Sequence, residues 1–349
     1  MRIAVYGASG YQAGLVLAEL TRRGVEPVLV GRDAARLHRA ATRIGITGAE
    51  RRVAGTDDHR TLVAALRDCD AVVNCAGPFT DSGHAVVRAA VAAGCQYVDT
   101  AGEQVYLSTV FDTFAGPAER AGVTVVPAAN DACLPADLLA RLLADTLGPV
   151  EEIVVSHFIT GGGGPSRGSL RSLGATVDVI RGGGLTYQSG AWRTGVPPGR
   201  TSVTLPGASE PTEVARFPLA EVVTIPRHVP VGRVESFAEA GLGAALSVPL
   251  PPEVIDALPE GPDEEGRRGQ RFSYLVDAVG VEGRRVRGVV RGSDTYGSTA
   301  VIAVEAARRL VADGARPGVL APAQAYDPRD FLDSLAPCGI RWWIGDADG

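Results

Sequence analysis

The chain has 349 residues, 45% of them hydrophobic and 21% charged, with a formal net charge of −6. That length exceeds what a single core ordinarily supports, so two domains are expected. The acidic balance gives no electrostatic footing on nucleic acid or a membrane surface, no apolar run approaches a membrane span, and the sequence opens directly on a strand-like segment, so a cytoplasmic protein is expected. The five cysteines, Cys69, Cys75, Cys95, Cys133 and Cys338, are odd in number and form no C-x-x-C pair, which argues against a disulfide framework and against a zinc site. The chain contains no lysine; all 34 basic residues are arginine. A Tyr-x-x-x-Lys pair, Schiff-base chemistry and a lysine general acid are therefore excluded, and any titrating group is Asp, Glu, His, Cys or Tyr.

Arg2 to Tyr6 reads as a short buried strand, followed at once by Gly7-Ala8-Ser9-Gly10-Tyr11-Gln12-Ala13-Gly14, an apolar-faced helix from Leu15 to Arg23, and a second strand, Pro27 to Val30. Strand, glycine turn, helix, strand is the order of a dinucleotide site. Gly7 permits the tight turn, Gly10 lets backbone approach a pyrophosphate, and Ala13 lets helix and strand pack closely. The helix N-terminus offers free N–H groups to phosphate, which adds Ser9, Tyr11 and Gln12 to the candidate contacts. The second strand ends in Gly31-Arg32, with Arg36 a turn further on. Where an NAD site carries a carboxylate, these guanidinium groups suit a 2′-phosphate. NADP(H) is the expected cofactor; the alternative is that Arg32 and Arg36 decorate a solvated helix start.

Further along, Leu62 to Leu66 predicts a helix, Ala71 to Ala76 a buried strand ending at Gly77-Pro78-Phe79, Gly83 to Ala93 a helix, Cys95 to Asp99 a strand, Val110 to Arg120 a helix and Val123 to Val126 a strand. This alternation implies a parallel, doubly wound α/β sheet with ligands beyond the carboxyl ends of the strands. Pro135 to Leu147 predicts a helix stopped by Gly148-Pro149. After it the texture changes: Glu151 to Thr160 reads as a strand, Gly161 to Gly164 as a loop, Ser169 to Arg181 as a helix, residues 185–250 as short β-like runs, Pro259 to Gly269 as a solvated loop, and Gln270 to Ala278 with Arg284 to Arg291 as an antiparallel pair. Ser298 to Ala312 predicts a helix. The expected division is a Rossmann domain over 1–148, an inserted α+β domain on a largely antiparallel sheet over 149–297, for substrate and a possible homodimer contact, and a helix and tail over 298–349 packing back on the first domain.

The chain resembles the saccharopine dehydrogenase-like NADP-dependent oxidoreductases, a group that includes trans-acting enoyl reductases. The resemblance lies in Gly-Ala-Ser-Gly-Tyr at 7–11, Val-Gly-Arg at 30–32, Asn-Cys-Ala-Gly-Pro-Phe at 74–79, Tyr-Val-Asp-Thr-Ala-Gly-Glu at 97–103, Gly-Ser-Asp-Thr-Tyr-Gly-Ser-Thr-Ala at 292–300 and Ala-Pro-Ala-Gln-Ala at 321–325. It implies an active site between two domains, with Ala76, Gly77, Pro78 and Phe79 beside the nicotinamide. The family's Gly-Phe-Asp-Ser segment stands here as Ala129-Asn130-Asp131-Ala132, with Asn130 in place of the aromatic.

Hydride transfer asks mainly for placement, plus a proton or a stabilised charge at the far end of the reduced bond. The candidates are Asp99 and Glu103, which follow a strand ending in the crevice, Asp131 before the 135–147 helix, and Tyr296 in the Asp-Thr-Tyr segment. Each has a bland alternative: turn or helix capping for the carboxylates, hydrogen-bonded packing for Tyr296. On the substrate side stand His157, Cys133 and Arg167; Arg167 is suited to a substrate carboxylate, while the histidine and the thiol equally fit structural burial. The expected activity is NADPH-dependent reduction of a C=N or activated C=C bond in a small metabolite of secondary or amino-acid-related biosynthesis. Paired arginines such as Arg167 and Arg171 would favour C=N. The alternatives are a non-catalytic NADP(H)-binding sensor or accessory protein, and a redox-neutral enzyme that retains the cofactor.

Overall fold

Runs of β-branched residues alternating with amphipathic helices build the first sheet of the computed structural model, which describes residues 1–346. β1 (Ile3–Tyr6) is buried at every position and turns through Gly7 into α1 (Tyr11–Arg22). β2 (Pro27–Gly31) leads to α2 (Ala34–Arg43), whose first turn is capped by the Asp33 carboxylate accepting the Arg36 N–H at 3.0 Å. β3 (Arg51–Val53), α3 (His59–Leu66), β4 (Ala71–Asn74), α4 (Phe79–Ala93), β5 (Gln96–Asp99), α5 (Gln104–Ala121) and β6 (Thr124–Val126) follow. All the pairings are parallel, in the order β6-β5-β4-β1-β2-β3, so every strand delivers its carboxyl end to one edge. α6 (Cys133–Leu147) buries Leu134, Leu138, Leu139 and Leu143 and stops at Gly148, whose φ of +77° suits glycine.

The second sheet opens with β7 (Val150–Thr160). α7 (Arg167–Ala175), α8 (Val177–Arg181), β8 (Thr186–Gln188), β9 (Ala191–Arg193), β10 (Ser202–Val203), β11 (Thr212–Arg216), α9 (Glu221–Thr224), β12 (Val231–Glu239), α10 (Ala240–Leu246), α11 (Pro252–Ala257), α12 (Glu264–Gly269), β13 (Arg271–Gly280) and β14 (Arg285–Ser293) complete it. The order is β10-β11-β12-β7-β13-β14, antiparallel except where β12 runs parallel to β7. Its inner face, including Val155, Tyr274 and Val276, joins α6 in one hydrophobic core with the first sheet's helices. Its outer face carries a ladder of ion pairs, Arg287–Asp277–Arg200–Glu152–Arg233–Glu235–Arg216.

α13 (Thr295–Ala312) returns to pack on α1, and β15 (Gly318–Val319) extends the first sheet beside β6. α14 (Pro322–Ala325) and α15 (Pro328–Ser334) lead to β16 (Arg341–Asp346), which pairs with β14 in the second sheet. The tail expected to lie wholly on the first domain is thus shared between both sheets, because Arg341 to Asp346 completes an otherwise open edge. The helix expected over 169–181 is two, α7 and α8, broken at Thr176, whose φ of −116° leaves helical geometry. The supposed loop 259–269 contains α12, started by the Asp263 carboxylate accepting the Gly266 N–H. Among the described residues no helix is long and apolar enough to cross a membrane.

Candidate active site

The glycine turn after β1 is shaped by close approach. Gly7 has φ +76°, and a Cβ there would stand 2.8 Å from the Ala76 Cβ, so the turn seats directly against the β4 turn. The Gly10 N–H donates to the Gly7 carbonyl at 2.8 Å, and Gly10 holds the N-cap of α1 with no side chain over the helix end. No side chain therefore caps the first N–H groups of α1, the arrangement that suits an anion. At the end of β2, Arg32 and Arg36 are exposed, and neither forms an ion pair among the described residues. A bare glycine cradle with free guanidinium groups one strand away fits a 2′-phosphorylated dinucleotide, which Gly7, Ser9, Gly10, the N–H groups of Tyr11 and Gln12, and Arg32 and Arg36 would hold.

The neighbouring carboxylates are architectural. Asp99 is fully buried and accepts four hydrogen bonds: from the Tyr106 hydroxyl at 2.7 Å, the Ala128 N–H at 2.8 Å, the Tyr97 hydroxyl at 3.0 Å and the Ala101 N–H at 3.1 Å. Burial pushes its carboxyl above the usual range, and these donors only partly offset that. No lone pair is spare for substrate, so its catalytic assignment is corrected to a structural one. Glu103 accepts the N–H groups of Phe79 (2.9 Å) and Thr80 (2.6 Å) and the Thr80 hydroxyl. It caps α4 from outside, where the helix dipole favours a carboxylate, and so positions the Gly77-Pro78-Phe79 turn instead of meeting substrate. Phe79 is buried against Tyr106; a Cβ on Gly77 would stand 2.8 Å from the Ser172 hydroxyl, so α7 of the second domain lies over this turn.

Asp131 differs. Its oxygens are met by the Thr299 hydroxyl of α13 at 2.8 Å and by the Tyr274 hydroxyl of β13, and its own N–H donates to Thr299 at 3.0 Å. It is half-buried, and burial raises its carboxyl above the usual range while Tyr274, Thr299 and the nearby His157 pull it down. The capping alternative falls to Asn130 instead, whose Oδ1 accepts the Ala132 and Cys133 N–H groups at 3.0 and 2.7 Å. His157 stacks obliquely on Tyr274 (centroids 4.3 Å apart) and faces Glu221 of α9 at 2.8 Å. Cys133 is buried beside Thr224, its thiol pushed up by burial; the site-thiol assignment is corrected to packing. Tyr274 and Glu221 lie in no motif, and Thr299 sits in the 292–300 segment without a sign that it reaches Asp131; all three are far along the chain from it.

Tyr296 lies half-buried at the start of α13. Its hydroxyl accepts the Ser166 N–H at 2.6 Å and meets the Ser169 hydroxyl at 3.0 Å, tying α13 to the N-terminus of α7. Arg167, beside it on α7, has no ion-pair partner among the described residues, and its Nε is buried without a hydrogen bond. Arg171 is not its twin: it is exposed and paired with Asp256 of α11. The Tyr11 side chain is corrected from cofactor contact to domain contact, since its hydroxyl donates to the Pro262 carbonyl at 2.6 Å. The Gln12 amide likewise donates to the Tyr296 carbonyl, at 3.1 Å. A surface cleft of about 600 Å³, lined by Arg141, His228 and Gly232, lies at the far end of β7 and borders no part of the nucleotide turn.

A family model described as the saccharopine dehydrogenase NADP binding domain matches residues 3–126. The chain is 31% identical over 151 residues to a lipid droplet localized protein of Caenorhabditis elegans, covering 40% of this chain and 35% of that one. It is 28% identical over 140 residues to a trans-acting enoyl reductase of Mycobacterium tuberculosis, covering 39% and 34%. The matched stretch thus spans about a third of the length of these relatives. The fold resembles apo saccharopine dehydrogenase (L-Glu forming) from Saccharomyces cerevisiae, with a TM-score of 0.62 at 12% identity over 99% of each chain. A bare glycine cradle, a free Arg32 and the matching domain model fall in the same first 126 residues, so the first domain is similar to the NADP-binding domain of saccharopine dehydrogenase.

Proposed function

We propose that the protein is an NADPH-dependent reductase acting on an activated C=C bond of a small carboxylated metabolite, in the crevice between its two sheets. The observation that carries this reading is Asp131: a half-buried carboxyl at the end of the parallel sheet, held by hydroxyls of β13 and α13 and kept above the usual carboxylate range. Bound NADPH supplies the hydride. The chain's own residues do the rest. The α1 N-terminus binds the pyrophosphate, Arg32 and Arg36 the 2′-phosphate, and the Ala76 to Phe79 turn orients the nicotinamide. Asp131 holds a proton at its carboxyl and delivers it to the far end of the bond. Tyr296, already committed to Ser166 and Ser169, shapes the wall and is the second candidate donor. Arg167 takes the substrate carboxylate, and His157 keeps Tyr274 in place.

The C=C preference comes from Arg171. A dicarboxylate imine calls for two convergent guanidinium groups, and Arg171 is turned outward to Asp256. The enoyl reductase relatives support the same preference. The reading assigns 1–148 to nucleotide and 149–297 to substrate, in a cytoplasmic protein. The test is a titration with NADPH and NADH followed by nicotinamide fluorescence, then a screen of α,β-unsaturated acids, their thioesters and cyclic imines for NADPH oxidation. Tighter binding of NADPH than NADH, abolished in Arg32→Ala, with oxidation by an unsaturated acid or thioester, is expected. Binding without oxidation by any of them would favour a sensor.

A further inference from the structure

Residues 259–269 are rich in Gly, Glu and Arg, the composition of a solvated loop. Their contacts are those of a fastened segment. Gly261 lies flat on the Tyr11 ring: a Cβ there would stand 2.7 Å from three ring carbons. The Pro262 carbonyl accepts the Tyr11 hydroxyl, and the Glu260 carboxylate pairs with Arg43 at 2.8 Å. Tyr296 also meets the Tyr11 ring, edge-on with centroids 5.1 Å apart. Both ends of the segment are anchored. The Glu260 carbonyl accepts the Arg167 N–H at 3.1 Å, and Arg267 pairs with Asp294, the N-cap of α13, at 2.5 Å. Tyr11 is the first residue of α1, directly after Gly10.

We propose that residues 260–262 are a cofactor-positioning clasp: the second domain grips the first turn of α1 through Tyr11, and Gly261 is the position that lets it seat. The clasp fixes the helix end whose N–H groups meet the pyrophosphate, and its link to Arg167 ties that helix end to α7 on the substrate side. It must yield for cofactor to enter or leave. The inference rests on the glycine turn being the NADP site.

The test uses the whole chain and NADPH as probe, with Gly261→Ala to unseat the clasp by steric contact and Tyr11→Phe to remove only its hydrogen bond. Stopped-flow nicotinamide fluorescence is expected to show NADPH release faster by roughly 2- to 10-fold in Tyr11→Phe, the range one lost hydrogen bond spans, and by more in Gly261→Ala. Trypsin supplies a second readout. Without lysine, the segment offers cleavage only after Arg267 and Arg268. Cutting there is expected to speed up in both variants and to slow when NADPH is added to the wild type. Unchanged release rates and unchanged cutting, beside normal NADPH binding by the wild type, would overturn the clasp alone. No NADPH binding by the wild type would overturn the nucleotide reading and the clasp's role with it.

Discussion

Asp99 and Asp131 stand at the same sheet edge, one as the last residue of β5 and one in the segment after β6, yet their surroundings differ in kind. All four donors to Asp99 come from the first sheet's own domain: two tyrosines and two backbone N–H groups. Asp131 is met by Tyr274 of β13 and Thr299 of α13, elements beyond the first six strands. A buried carboxylate satisfied by its own domain is part of the scaffold and is settled once that domain folds. One satisfied across the crevice depends on how the second sheet is seated, and it keeps a reason to titrate there.

The largest effect that tests this contrast is on stability. Asp99→Ala leaves two buried N–H groups and one of the two tyrosine hydroxyls without an acceptor, since Tyr97 and Tyr106 lie 2.9 Å apart and one can still donate to the other. A loss of about 3 kcal/mol or more in urea unfolding is expected, since each orphaned donor costs roughly 1–3 kcal/mol. An unchanged midpoint would erase the distinction between the two carboxylates. Asp131→Asn goes the other way. Stability falls little, because the hydroxyls of Tyr274 and Thr299 reorient, while turnover drops by roughly 100-fold or more, the weight of a lost general acid; NADPH affinity stays. Equal turnover in Asp131→Asn would pass the proton to Tyr296.

Much of this layout is legible in the sequence, and the limit has a physical cause. The first sheet's strands declare themselves as short β-branched runs, and the glycine turn is local: residues 7 to 14 form it alone. Helix starts are less legible. α5 begins at Gln104, not Val110: the apolar spacing already runs from Leu107 through Val110 and Phe111 to Phe114, but Glu103 at the N-cap makes no side-chain cap bond to mark the start. The site falls between these cases. Asp131 stands in a recognisable segment, but the residues that make it different from Asp99 sit 143 and 168 positions away in sequence. No spacing rule connects them; only the register of β13 against β7 brings Tyr274 opposite His157 and onto Asp131. The clasp at 260–262 hides for a related reason, since its composition is that of solvent-facing chain.

A finer test separates holding Asp131 from merely packing near it. The Tyr274 hydrogen bond lowers a carboxyl that burial has raised. Tyr274→Phe therefore raises it further. On the proposed reading the acid form is the active one, so the limb on which activity falls with rising pH is expected to move to higher pH. A lower maximal rate with an unmoved limb would make Tyr274 a packing residue.

The smallest expected effect concerns Glu305 on α13, which is also held across elements, but by charge. Burial pushes its carboxyl up; hydrogen bonds from Arg308, Arg309 and Arg23 of α1 outweigh that and hold it at about 2. Its sign is opposite to that of Asp131. A carboxyl lowered from 4.5 contributes stability that is fully present above about pH 4.5 and is lost as pH falls toward 2. A raised one contributes below its unfolded value and loses that contribution as pH rises through the raised value. Arg308 is 38% exposed, so solvent screens the cluster, and Glu305→Gln is expected to cost only about 1 kcal/mol at neutral pH. That difference should vanish on acidification, the two proteins converging between pH 4.5 and 2. A constant gap across that window would mean that Glu305 joins α1 to α13 by packing and not by its charge, leaving Asp131 as the only one of the two cross-element carboxyls whose protonation the fold controls.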